Sequence, residues 1–271
     1  MDSKFEKWSE LPTKMRMECV KWMNFRTRMM LRATSHTEKS LVESAPKYNF
    51  EFFQIDSGNR EEDYLNIQCE QGVVCINPVE HYQLMIQVFK YASVEDFEIR
   101  WKLENDDDAN KFISDISSGA PFRFQEFLLF TDNLKVAQFF LRNSEFEELN
   151  LHKANYNKDK FSIKDFIGIP AVINAKCFQL FDEQTSDDAL MFIEKWIEND
   201  VEIDFGFSTA VSGIDVSGDV GIKFENRIIE KRIHEGNSWF RIRTDNESKH
   251  ISIKVSIHRG TQYIVAGMIK A

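Results

Sequence analysis

A short strand phrase, apolar-x-x-apolar-x-apolar, recurs four times in the middle of the chain and restricts the folds open to it. It reads Val94-Phe97-Ile99, Phe124-Phe127-Leu129, Phe146-Leu149-Leu151 and Ala175-Phe178-Leu180, at steps of 30, 22 and 29 residues. The last two apolar positions of each phrase are two apart, so strand alternation puts them on one face. Helical phrases alternate with the strands: "DANKFISDIS", "DNLKVAQFFL", "SIKDFIGI" and "TSDDALMFIEKWI". Ser162 stands where it can cap one of them, and Thr185 with Asp188 another. One strand and one helix cannot bury their own apolar faces, so such units must stack on their neighbours.

A strand phrase alternating with a helix every 20–30 residues is the pattern of a leucine-rich-repeat-like α/β solenoid. The alternative is an ordinary layered α/β domain, because the steps are irregular and no Asn or Cys ladder accompanies the phrase. The flanks differ in texture. Beyond Asp200 the segments "VEIDFGFST", "SWFRIRT", "HISIKVSIH" and "QYIVAGMI" read as strands, with Ile251, Ile253, Val255 and Ile257 on one face. They predict a closing sheet. Ahead of the repeats, "NFEFFQI", "LNIQC" and "VVCIN" read as strands. "NPVEHYQLMIQVFKYA" reads as a helix capped by Asn77, opened by Pro78 and apolar along Leu84, Met85, Val88 and Phe89.

The first 44 residues predict a compact helical unit. Residues 13–23 carry Met15, Cys19, Val20 and Met23 at helical spacing. A second helix is expected over 28–34 with Thr27 as its cap, and a third short turn from Thr37 carries Leu41 and Val42. "ESAPKYNF" follows as a linker. The expected architecture is therefore α+β: a small three-helix domain over 5–44, a leucine-rich-repeat-like α/β repeat region over 45–200, and a β-rich cap over 201–271.

Charge is unevenly spread over this plan. The 271 residues have a net charge of −10. Residues 1–44 hold nine Lys/Arg and six Asp/Glu, residues 45–220 fifteen and thirty-three, and residues 221–271 ten and five. The acidic middle argues against nucleic acid as the main partner. The basic tail could meet phosphate, or its cations could simply form a solvated face. No apolar run is long enough to span a bilayer, and the N-terminus lacks a signal-peptide core. A cytoplasmic or nuclear protein with no membrane partner is expected. Cys19, Cys69, Cys75 and Cys177 form no CxxC pair, and a hairpin at "EQG" would not set Cys69 opposite Cys75, so free thiols are expected.

Catalytic patterns are missing. None of the six histidines lies in an HxxxH or HExxH arrangement, and no Ser sits in GxSxG. "SGIDVSGDVG" lacks the Lys-Ser/Thr of a phosphate loop and is expected to be a mobile loop. "ENDDDAN" lacks the spacing and glycine of a calcium loop. No catalytic residue, cofactor or metal is expected. Phe122, Phe124, Phe127 and Phe130 crowd one strand, and alternation cannot bury them all on one face.

The opening segment carries a resemblance. "LPTKMRMECVKWMNFRTRMMLRATSHTEKSLV" resembles an F-box: Leu11-Pro12, then Met15, Cys19, Val20 and Met23, then Leu31-Arg32, Ser35 and Leu41-Val42. Lys14 replaces the acidic residue common two places after the Pro, and Met stands where Leu or Ile is usual. More narrowly, the segment resembles the F-boxes of a nematode-expanded group with a C-terminal F-box-associated region (FTH/DUF38-like). "INAKCFQLFDEQTSDDALMFIEKWI" and "WFRIRTDNESKHI" are similar to that region.

The resemblance implies a non-catalytic substrate receptor of a Skp–cullin–F-box ubiquitin ligase. Leu11, Pro12, Met15, Val20, Met23, Leu31 and Arg32 would dock the Skp adaptor, and through it a cullin. Arg26 and Arg28 would join Arg32 at the rim of that contact. A client protein would meet outward strand residues: Glu98, Arg100, Gln125, Glu148, Asn150 and Gln179. The alternative is an F-box-like interaction scaffold outside any ligase.

Overall fold

The computed structural model describes residues 8–56, 65–69, 72–76, 78–101, 106–117, 120–152, 161–213 and 215–271. Three short helices come first: α1 (Thr13–Trp22), α2 (Phe25–Arg32) and α3 (His36–Ser44). Pro12 has a φ suited to helix entry, and its carbonyl accepts from the N–H groups of Met15 and Arg16. Asn24 caps α2 by accepting from the Thr27 N–H at 2.8 Å, and Ser35 caps α3 by accepting from Glu38. The cap of α2 is thus Asn24 rather than Thr27, and the helix starts at Phe25.

The remaining elements follow in order. They are β1 (Tyr48–Asp56), β2 (Leu65–Cys69), β3 (Gly72–Ile76), α4 (Pro78–Tyr91), β4 (Ala92–Trp101) and α5 (Asp106–Ile116). Next come β5 (Phe122–Arg123), β6 (Glu126–Thr131), α6 (Leu134–Asn143), β7 (Ser144–Glu145), β8 (Glu148–His152) and α7 (Pro170–Ile173). Then follow β9 (Cys177–Thr185), α8 (Ser186–Glu198), β10 (Gly206–Ser212) and α9 (Val216–Lys223). The last are β11 (Ile228–His234), β12 (Asn237–Arg243), β13 (Lys249–His258) and β14 (Thr261–Lys270).

Among the described residues, twelve strands form one mixed sheet in the order β11-β12-β13-β14-β10-β9-β8-β6-β4-β1-β2-β3. The strands β1, β4, β6, β8, β9 and β10 are parallel and neighbour one another in chain order. The β2–β3 hairpin closes one end. An antiparallel run from β14 to β11 extends the other.

The repeated phrase lies in register. Phe97, Phe127, Leu149 and Phe178 are consecutive cross-strand partners, and so are Ile99, Leu129, Leu151 and Leu180. All eight are buried. Strand β1 supplies a fifth copy, Phe50-Phe53-Ile55, opposite Val94, Phe97 and Ile99. The rings stack along the row, with Phe97 and Phe127 centroids 5.7 Å apart at 9°. Buried residues of α4, α5, α6 and α8 join these strands in one core. The alternate strand residues form a second, open face.

One core and one sheet run through residue 200, where a domain boundary was expected. Strand β10 pairs with β9, and Phe207 packs on Phe178, Phe192 and Trp196. The segment "SGIDVSGDVG" is not a loop throughout. Asp215 accepts from the Gly218 N–H and starts α9, which buries Val216 and Val220. "SIKDFIGI" forms a 3-10 turn, Ile163–Asp165, with a Ser162–Asp165 capping box. Thr185 caps α8 as expected. Cys69 pairs with Gly72 and Cys75 with Asn66 in the hairpin, so the two cysteines are not opposite. The Asn77 cap, the turn at 70–71 and residues 104–105 of the acidic run lie outside the described residues.

Among those residues, no helix is long and apolar enough to cross a membrane, and no group of three metal-ligating side chains converges.

Candidate functional site

The three N-terminal helices have a small core of their own. Val20, Leu41 and Val42 are buried there, with Trp8, Met17, Met23, Met29, Leu31 and Ala45 packed around them. Trp8 Nε1 donates to Glu38 at 2.8 Å, and Arg16 pairs with the same carboxylate at 3.2 Å. Arg16 and Val20 of α1, and Met23 just past its end, therefore face inward on one side. The opposite side carries Met15, Cys19 and Trp22, continuing the line of Leu11. Met15 is 51% exposed and Trp22 89%. On α2, Met30 is 64% exposed. Burying one large apolar side chain is worth roughly 1.5–3 kcal/mol, so this strip is costly to leave in water.

These helices and the first residues of β1 match a known domain model over residues 8–50. Residues 8–50 are an F-box domain. F-box domains generally bind Skp adaptors within Skp–cullin–F-box complexes, and proteins that carry them are typically non-catalytic adaptors. No curated protein and no solved structure matches the chain.

The docking residues expected from the sequence divide in two. Leu11 is half-buried, and Pro12 and Met15 are exposed, all on the outer strip. Val20 is turned wholly inward, and Met23 and Leu31 pack on the same small core. This takes Val20 out of the expected outer seam, because α3 supplies Leu41 and Val42 and covers the surface it would have offered, while Met23 and Leu31 stay half-buried like Leu11. Trp22, Cys19 and Met30 are also exposed, and the expected set did not include them. The signal was the second stripe, 11-15-22, running beside the stripe 16-20-23 that the small core uses.

Two of the arginines expected at the rim serve inside the chain instead. Arg28 is buried and donates to three carbonyls, those of Met23 at 3.1 Å, Lys21 at 2.9 Å and Pro46 at 2.7 Å. Arg32 donates to Glu43 at 2.7 Å and lies over the Tyr91 ring of α4. Its hydrogen bond holds the Glu43 carboxyl below the usual range. Phe25 packs on Tyr48 and Phe50 of β1. The F-box is thereby fixed against the sheet, while its outer strip stays clear of it.

The open face of the sheet is strongly patterned. Glu98, Leu128, Asn150 and Gln179 form one cross-strand row, and Arg100, Phe130 and His152 the next. Of the residues expected to meet a client, Arg100 and Glu148 are exposed here. Asn150 and Gln179 are half-buried, and Gln125 is exposed just before β6. Glu98 is the exception: it is buried and paired with Arg100. Asp96, Glu126 and Glu148 are direct neighbours across β4, β6 and β8. Burial first, then these like charges, raise the Glu126 carboxyl above its usual range, although Asn150 donates to it at 2.9 Å.

Phe130 is the phenylalanine that alternation could not bury. Its ring stacks on His152 at 4.2 Å, and His152 stacks on Phe181 at 3.5 Å. The Arg100 guanidinium lies 5.1 Å from the Phe130 centroid. Burial, then Arg100, pushes His152 down to about 4, so it is neutral near pH 7.

Proposed function

We propose that this chain is the substrate-recognition subunit of a Skp–cullin–F-box ubiquitin ligase. The carrying observation is the exposure of Met15 and Trp22 on one side of α1, and of Met30 on α2, after the F-box has completed its own core and its seat on the sheet. Leu11 and Pro12 begin that strip, and an adaptor's helical groove would cover it. The exposed Trp has the character of an interface anchor. The body would then act as a leucine-rich-repeat-like array whose open face holds a client. Binding in one complex raises the concentration of client lysines near a ubiquitin-charged enzyme. The narrower kinship, to nematode F-box proteins with an F-box-associated region, is part of this proposal.

The test is co-purification with a Skp adaptor and a cullin. Wild type should retain both, and Met15→Asp with Trp22→Ala should lose both while circular dichroism stays unchanged. Retention of the adaptor without cullin would favour a scaffold outside a ligase. Retention of both by the double variant would refute the docking strip.

A further inference from the structure

The sheet's open face changes character along its length. The half built from β4, β6 and β8 carries Asp96, Glu126 and Glu148. The antiparallel half presents the opposite sign. Register places Glu230, Arg241 and Ser252 side by side on β11, β12 and β13, with Arg232, Trp239 and Lys254 in the next row and Arg243 beside His250. Alternate residues Phe240, Ile242, Ile251 and Ile253 are buried on the helical side, so the charged set faces outward. Of this set, Glu230, Arg232, Trp239, Arg241 and Ser252 line, with Ile269 of β14, a cavity of about 530 Å³, within the range of ligand pockets.

Small residues make the floor. Ser252 lies opposite Gly267 of β14, between the longer side chains of Arg241 and Ile269. Trp239 gives an apolar wall, and the Lys254 ammonium lies 5.6 Å from a Trp239 ring centroid. Arg241 is oriented by donating Nε–H to His250 Nδ1 at 2.9 Å. That acceptor role requires a neutral imidazole, and burial together with Arg241 and Arg243 lowers the His250 pKa accordingly. Among the described residues, Glu230 is the one carboxylate in the lining, and it pairs with Arg232. An internal carboxylate therefore already occupies part of the position that an anion would take.

We infer that this groove binds an acidic, extended peptide segment, with Arg232 and Arg241 engaging its carboxylates and Trp239 its apolar residues. Planar guanidinium groups suit bidentate carboxylate contacts, and a groove crossing four strands suits an extended chain. Charge complementarity selects the ligand: residues 221–271 hold ten cations and five anions in a chain of net charge −10. The inference rests on the client-binding role proposed above, and it supplies the chemistry of the client.

The test uses the full chain and a fluorescein-labelled peptide of about twelve alternating Glu and Val residues, read by anisotropy. A Lys/Val peptide and an oligothymidylate serve as competing probes. The Glu/Val peptide should bind and weaken with added salt. Arg241→Ala and Ser252→Phe should each lose about tenfold in affinity, the second by filling the floor. Glu230→Gln should bind more tightly, because it frees Arg232. Melting temperatures near wild type exclude misfolding as the cause. No binding of the Glu/Val peptide, binding indifferent to all three variants, or preference for the Lys/Val peptide or the oligonucleotide would overturn the inference. Skp-adaptor binding by the same variants is measured in parallel. Absence of adaptor binding by the wild-type chain, with the Glu/Val peptide still bound, would refute the ligase reading and leave the groove standing.

Discussion

The guanidinium carbon of Arg32, on the second F-box helix, lies 4.4 Å from the centroid of the Tyr91 ring at the end of α4, and Arg32 also donates to the Tyr91 hydroxyl. Glu43 completes the cluster from α3. This contact joins a unit with its own small core to the large sheet, so the exposed side of α1 keeps a fixed orientation relative to the open face of the sheet. Cation–π contacts are worth about 1 kcal/mol. Arg32→Ala should lower the melting temperature by about 2–4 °C. It should also speed hydrogen exchange in α2 more than in β6. Equal acceleration in both elements would show that Arg32 does not act at the junction.

Arg28 makes the stronger claim. It is buried, and its donors meet the carbonyls of Lys21, Met23 and Pro46 at the turn between α1 and α2 and at the chain's exit from α3. Arg28→Met keeps much of the volume but strands three acceptors, at a cost of about 2 kcal/mol or more. Chemical denaturation should show that loss. Arg28→Lys should recover only part of it, because one ammonium cannot reach three separated carbonyls. Wild-type stability in Arg28→Met would refute this role.

The core row is the most sensitive part of the body. Phe97 is fully buried and contacts the rings of Phe53, Phe89, Phe124, Phe127 and Phe140. Phe97→Ala should cost about 3–5 kcal/mol in equilibrium unfolding. Phe181→Ala, at the exposed end of the open-face stack, should cost much less. A comparable loss from both would mean that the open face is covered by something within the chain.

Stability should also fall in acid through His152. Its folded pKa, about 4, is below the ordinary value of 6.5. The unfolded chain therefore binds the extra proton first, and stability drops as pH falls from about 6.5 toward about 4. His152→Gln should flatten the melting temperature across that window. An unchanged slope would assign the effect to other groups.

Much of this architecture could be read from residues alone. The apolar-x-x-apolar-x-apolar phrase encodes strand alternation and register together, so four strands could be placed without knowing the fold. The fifth copy, Phe50-Phe53-Ile55, was hidden because the β2–β3 hairpin lengthens its step to Val94. Strand β11 was missed because it is an edge strand with a register shift after Ile228 and mostly exposed side chains, which leaves no apolar alternation to detect. The exposed side of α1 was only half legible. Met15 and Trp22 lie on one side of α1 and Val20 on another, and only the position of α3 decides which is covered. The groove at Arg232 and Arg241 depends on pairing between strands distant from the repeats, which local spacing does not carry.

The most direct measurement is a calorimetric titration of the purified chain with a Skp adaptor. A one-to-one complex is predicted, at least about tenfold weaker for Trp22→Ala and essentially unchanged for Arg241→Ala. Absence of binding by the folded wild-type chain, or equal affinity in Trp22→Ala, would contradict the account.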